Sequence, residues 1–164
     1  MKYIHFILIV FFIGFVVSCT SDEQCRKDRY VKMSLSIYHL EYNQTTGQTT
    51  KTSLSVDSIS VRGLTTEGLN VDSILYNNQK KLNKLEFPLN KFVPESKFVV
   101  TFNNTRDTIT ILHQNINEFL SLECGCLKVH SIDTVLTTNH YVDSVKIINH
   151  NVNTISTEHL QIYN

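Results

Sequence analysis

From residue 30 to residue 38 the chain reads Tyr30-Val31-Lys32-Met33-Ser34-Leu35-Ser36-Ile37-Tyr38. Val31, Met33, Leu35 and Ile37 fall on one side of a period of two and Lys32, Ser34 and Ser36 on the other, as a half-buried strand requires. The alternation recurs at Leu54 and Val56, Ile59 and Val61, Leu85, Phe87 and Leu89, Phe98, Val100 and Phe102, and Ile109 and Ile111. It returns at Val145 and Ile147 and at Leu160 and Ile162. Between these runs, residues 43–51, 63–68 and 77–83 are polar and rich in turn-forming residues. No helical period fits as well. Short strands at this spacing predict an all-β fold, an antiparallel β-sandwich of immunoglobulin-like shape, with a small β-barrel as the alternative.

Leu120, Leu122, Cys124 and Cys126 share one parity and are expected on a buried face. A short pattern occurs five times, an aspartate followed by serine or threonine and a β-branched residue, at Asp57, Asp72, Asp107, Asp133 and Asp143. Asp and Ser or Thr bond nearby backbone in turns, and the β-branched residue then leads into the pleat. Convergence of the five carboxylates on calcium is the sharper reading, but the glycine and bidentate glutamate of an EF-hand loop are missing. Two of the units form a ten-residue near-repeat, His130 to Val135 and His140 to Val145, which predicts a hairpin.

The N-terminus has the profile of a lipoprotein signal peptide over residues 1–18: Lys2, then a near-continuous apolar run from Phe6 to Val17, then Ser18-Cys19. A helix spanning a bilayer core takes about 20 apolar residues, more than this run supplies. Val16-Val17-Ser18-Cys19 resembles a lipobox, which makes Cys19 the lipidated residue, carrying palmitate-type acyl chains. Two or three such chains anchor stably where one does not. Residues 19–29 then form the lipidated cysteine and its tether, and 30–164 a single domain. Thr20-Ser21-Asp22-Glu23 resembles the acidic export signal of Bacteroidetes lipoproteins, so an outer-membrane location, on the surface or the periplasmic face, is expected. The membrane lipid is the first partner, and an envelope protein or polymer the second. Lys and Arg total 15 against 15 Asp and Glu, so the basic excess that drives nucleic-acid binding is missing.

With Cys19 lipidated, Cys25, Cys124 and Cys126 remain, and in an oxidising compartment a disulfide from Cys25 to Cys124 or Cys126 is expected. The alternative for the last two is a metal site with His130 and His140, thiolate and imidazole suiting zinc or copper. His39, His113, His150 and His159 are read as surface residues. No catalytic residue is assigned: Gly-x-Ser-x-Gly, His-Glu-x-x-His and a phosphate-binding glycine loop are all missing. The expected function is that of a non-enzymatic binding or structural module without a cofactor other than the covalent lipid on Cys19.

Residues Asp72-Ser73-Ile74-Leu75-Tyr76-Asn77-Asn78, Glu123-Cys124-Gly125-Cys126, and Asp133 through His140 to Asp143-Ser144 resemble a family of small uncharacterised Bacteroidetes lipoproteins, a domain of unknown function. The resemblance implies a cell-envelope lipoprotein and carries over no active-site residue.

Overall fold

The computed structural model describes residues 30–64, 73–122 and 124–164. The expected signal peptide over residues 1–18, Cys19 and Cys25 lie outside them, as does Asp72. Eleven strands follow in order: β1 (Met33–Asn43), β2 (Gln48–Ser53), β3 (Ile59–Leu64), β4 (Ser73–Gln79), β5 (Lys84–Phe87), β6 (Glu95–Phe102), β7 (Thr105–Ser121), β8 (Gly125–Thr137), β9 (Ser144–Ile147), β10 (Asn151–Val152) and β11 (Leu160–Tyr163). The architecture is all-β with two sheets. The first runs β2-β1-β11-β9 with β5 also paired to β1, and the second runs β10-β8-β7-β6-β3-β4.

The alternating residues decide what is inside. Val31, Met33, Leu35 and Ile37 are buried, and so are Ile59, Val61, Leu85, Phe87, Phe98, Val100, Phe102, Ile109, Ile111, Leu160 and Ile162. They belong to one hydrophobic cluster fed by both sheets. Phe87 of the first sheet meets Phe98 of the second with ring centroids 4.3 Å apart, and Phe102 stacks on Tyr141 at 4.5 Å. Aromatic pairs at such distances add to the area they bury. Between Val56 and Ile59 the alternation changes phase. Val56 makes an isolated bridge to Leu82, β3 starts at Ile59, and both residues are buried.

Pairing departs from the all-antiparallel expectation at one place. β1 and β11 are parallel, with Leu35 opposite Leu160 and Tyr38 opposite Tyr163. His159 fixes this junction: its Nδ1 accepts from Ser34 N–H, its N–H donates to Ser34 O, and its Nε2–H donates to Asn151 O. It is a buried connector between the sheets and not the surface residue expected.

Other differences have local reasons. Gln48–Ser53 is a strand although every residue in it is exposed, because it lies on a sheet edge and needs no apolar side. The near-repeat is not a hairpin: β8 belongs to the second sheet and β9 to the first, and the linker between them buries Val142. The face expected to bury Leu120, Leu122 and Cys126 is exposed instead, because β7 ends at Ser121 and the chain reverses there, with Gly125 in the left-handed region.

The two-residue link from β6 to β7 holds its own register device. Asn103 sits at φ 52°, its side-chain oxygen accepts from Ser58 N–H, and its N–H donates to Ser58 O. Asn103→Ala keeps the strained backbone and loses the acceptor. A loss of about 2 kcal/mol is expected, read as a lower urea midpoint at unchanged slope.

Candidate functional site

Two polar assemblies stand out, one in each half of the long β7–β8 pair. At its base is Asp107, on β7, with a side chain 0% exposed. Its Oδ1 accepts from Thr138 Oγ1–H at 2.6 Å and His140 N–H at 2.8 Å, and Oδ2 from Tyr141 N–H at 2.7 Å and Val142 N–H at 3.0 Å. His140 Nδ1 adds a contact at 3.1 Å. Three successive amides from the β8–β9 linker thus converge on one carboxylate. Burial by itself raises the pKa of this carboxyl, and the Thr138 hydroxyl and the amides overcome it, holding the group well below the ordinary carboxylate range. Of the other aspartates of the repeated pattern, Asp57, Asp133 and Asp143 are exposed, so the four do not converge and the calcium reading fails among the described residues.

Further along the pair, a β-bulge at Asp133 shifts the register: Leu112 faces Thr134, but His113 faces Ile132. His113 is 1% exposed and His130 2%, and their rings meet edge to face with centroids 5.0 Å apart. Ser96 Oγ accepts from Asn90 N–H at 2.7 Å and shares a hydrogen bond with His113 Nε2 at 2.8 Å. On the other ring, His130 Nδ1–H donates to Asn115 Oδ1 at 2.6 Å, and Asn115 Nδ2–H donates to Val93 O at 3.1 Å. Among the described residues His113 Nδ1 and His130 Nε2 have no hydrogen-bond partner. The outer members of this Ser96–His113–His130–Asn115 row both hold the loop from Pro88 to Pro94. His130 is pushed down to about 4, by burial first and then by the charges of His113, Lys91 and Lys128. Burial also lowers His113, with Asn115 and the Asp133 charge pulling the other way.

The Ser96–His113 distance is that of a nucleophile and its base, and Ser96 also lines an open pocket of about 180 Å³ with Gly63, Ser73, Asn90 and Lys97. Two features count against acyl chemistry. Ser96 Oγ already accepts a backbone N–H, and no carboxylate bonds His113 Nδ1 among the described residues.

The residues expected to hold metal are not brought together. Cys126 opens β8 and is exposed, His130 is buried in mid-strand, and His140 lies past the other end, against Asp107. Roughly 35 Å of extended strand separates Cys126 from that end. No group of three or more metal-ligating side chains exists among the described residues, which overturns the Cys124, Cys126, His130, His140 site.

The cysteine expectation is corrected as well. Cys126 is free, which removes the Cys25–Cys126 bridge, and no disulfide joins two described residues. Cys124 is disulfide-bonded, and Cys25 lies outside the described residues.

Sequence reasoning missed both assemblies, having read Asp107 as a turn residue and His113 as a surface one. The signal was present. Extending the period of two from Ile109 and Ile111 by one step in each direction lands on Asp107 and His113, both on the inward face.

No curated protein and no solved structure matches the chain. Residues 58–164 match the model of a family of unknown function, DUF6452, and the chain belongs to that family.

Proposed function

We propose that this chain is a non-enzymatic lipoprotein of the cell envelope, held on the outer membrane through Cys19, whose β domain engages an envelope protein or polymer. The observation that carries this reading is the apolar run from Phe6 to Val17 ending in Val16-Val17-Ser18-Cys19. The domain supports it in two ways. Two of its buried titratable groups, Asp107 and His159, are used in holding backbone. Its first sheet also offers an edge strand, Gln48–Ser53, that is exposed along its whole length, where an added strand can pair. We further read the two sheets as the faces of a sandwich, on the strength of the Phe87–Phe98 contact; the immunoglobulin-like variant draws less support, given the parallel β1–β11 pair.

Growth with labelled palmitate tests the anchor. The wild-type chain is expected to take up label, and Cys19→Ala to lose it and to run as the uncleaved precursor. Equal labelling of the two overturns the anchor. Protease treatment of intact cells then assigns the face: digestion places the domain on the surface, and protection until the membrane is broken places it in the periplasm.

A further inference from the structure

Three separate pieces of chain emerge at one end of the domain. β1 starts there, because Met33 lies opposite Phe87 and residues 30–32 continue beyond that pair. The loop from Pro88 to Pro94 leaves β5 at the same end, and it is bound to β7 through Asn115 Nδ2–H to Val93 O and His113 N–H to Pro94 O. Past this loop β6 has already ended at Glu95, opposite Leu112, and β10 reaches only Ser131 and His130. From there to the turn, β7 and β8 pair with each other as a two-stranded ribbon.

This end is apolar where water is the only neighbour. Phe92 at the loop tip is 95% exposed, Leu122 at the ribbon turn 95% and Phe119 62%, with Tyr30 also exposed. Leu127 and Val129 of the same ribbon are buried. Around them lie Lys32, above the Tyr30 ring, and Lys91 and Lys128, whose charges both reach His130. Among the described residues none of these three lysines makes a salt bridge, whereas Glu95 and Glu86 of the same region are paired with Lys97 and Lys84. Glu118, exposed beside Phe119, is an acid on the same ribbon, against the three lysines. Aromatic and aliphatic tips with such a cationic excess around them suit the boundary between acyl chains and anionic headgroups.

We propose that the turn of the β7–β8 ribbon and the Phe92 loop dock on the bilayer, so that the domain stands on its membrane at the end where its tether arrives. The proposal rests on the Cys19 anchor of the preceding section. The anchor supplies the closeness, since residues 19–29 span at most about 40 Å even when fully extended. The docked tips then fix the orientation. Residues 103–104 and Leu136, toward the other end of β7 and β8, face away from the lipid.

The chain has no tryptophan, so one introduced indole reports alone. Full-length Leu122→Trp, Phe92→Trp and Leu136→Trp proteins, lipidated in cells and purified, are reconstituted into vesicles of phosphatidylethanolamine and phosphatidylglycerol with and without brominated acyl chains. With docking, brominated lipid lowers the emission of Leu122→Trp and Phe92→Trp at least twofold and leaves Leu136→Trp unchanged. Vesicle flotation of the same samples separates the two readings. Protein that floats while all three indoles resist quenching overturns the docking and keeps the anchor. Protein that fails to float overturns both. A blue-shifted Leu122→Trp emission that brominated lipid does not quench assigns the tip to a second copy of the chain, and likewise overturns the docking.

Discussion

Replacing Asp107 with alanine is expected to cost the domain about 3 to 5 kcal/mol, measured as a fall in the urea midpoint at pH 7 with an unchanged slope. The reason lies in what is left behind. The amides of His140, Tyr141 and Val142 and the Thr138 hydroxyl all point at one buried carboxylate. Without it the Val142 amide stays buried with nothing to bond, the part-buried amides of His140 and Tyr141 and the Thr138 hydroxyl lose their acceptor, and each buried unsatisfied group costs about 1 to 3 kcal/mol. The linker carries Val142 into the core and Tyr141 onto Phe102, so it cannot swing out to water without giving up that packing. Asp107→Asn should fall between wild type and alanine, because the amide keeps one acceptor but turns an N–H₂ toward a donor. Thr138→Val, which removes one donor together with its bond, should cost about 1 kcal/mol. A loss below 1 kcal/mol for Asp107→Ala would mean that the linker relaxes freely, and that the β8-to-β9 crossing is held by packing alone.

The second large effect is with acid. His130 titrates at about 4 in the folded chain, against about 6.5 when unfolded, so below pH 6.5 the unfolded chain binds the extra proton. The stability tied to this group is complete above pH 6.5 and is lost as the pH falls toward 4, by about 3 kcal/mol at pH 4. His113 and His159, both lowered by burial, add losses of the same sign. Asp107, Glu86 and Glu158 have pKa values below the ordinary carboxylate range, so what they contribute is present above about pH 4 and lost below it. Stability is therefore expected to fall in two stages, an imidazole stage from pH 6.5 to 4 and a carboxylate stage beneath it. Urea unfolding of wild type and His130→Gln at pH 7 and pH 4 checks this. The wild type should lose about 3 kcal/mol more than the variant over that interval. Equal losses would show that His130 is not what makes the domain acid-sensitive.

How much of this was legible beforehand follows the period of two. Where one face of a strand is apolar and the other polar, as in β1, β3, β6 and the first part of β7, strand and inward residues were both readable. Where a strand is polar throughout, as β2 is, there was no contrast to read. The Leu120-to-Cys126 stretch misled for the opposite reason. Its residues alternate correctly, but the chain turns in the middle of them, and alternation carries no information about which strands have a neighbour to pack on. The two polar assemblies were hidden by residue type. An aspartate and a histidine at inward positions were assigned to turns and surface because such groups are seldom buried, and burial is tolerated here because partners arrive from segments 17 to 35 residues away. Those partners are a property of the tertiary fold. The metal expectation failed on the same point, since nearness in sequence on an extended strand means separation in space.

The parallel seam between β1 and β11 sets the order in which the molecule can be made. Leu35 and Ile37 are among the first residues of the domain to be synthesised, and their neighbours Leu160 and Ile162 are among the last, so the first sheet has no inner strand until both have arrived. Contacts of such long sequence separation form slowly, because the chain between them must first be ordered. The first sheet therefore stays incomplete until the chain has been produced nearly in full. For the exported lipoprotein proposed above this delay would be an advantage, since whatever threads it across a membrane would meet a chain whose first sheet is not yet complete.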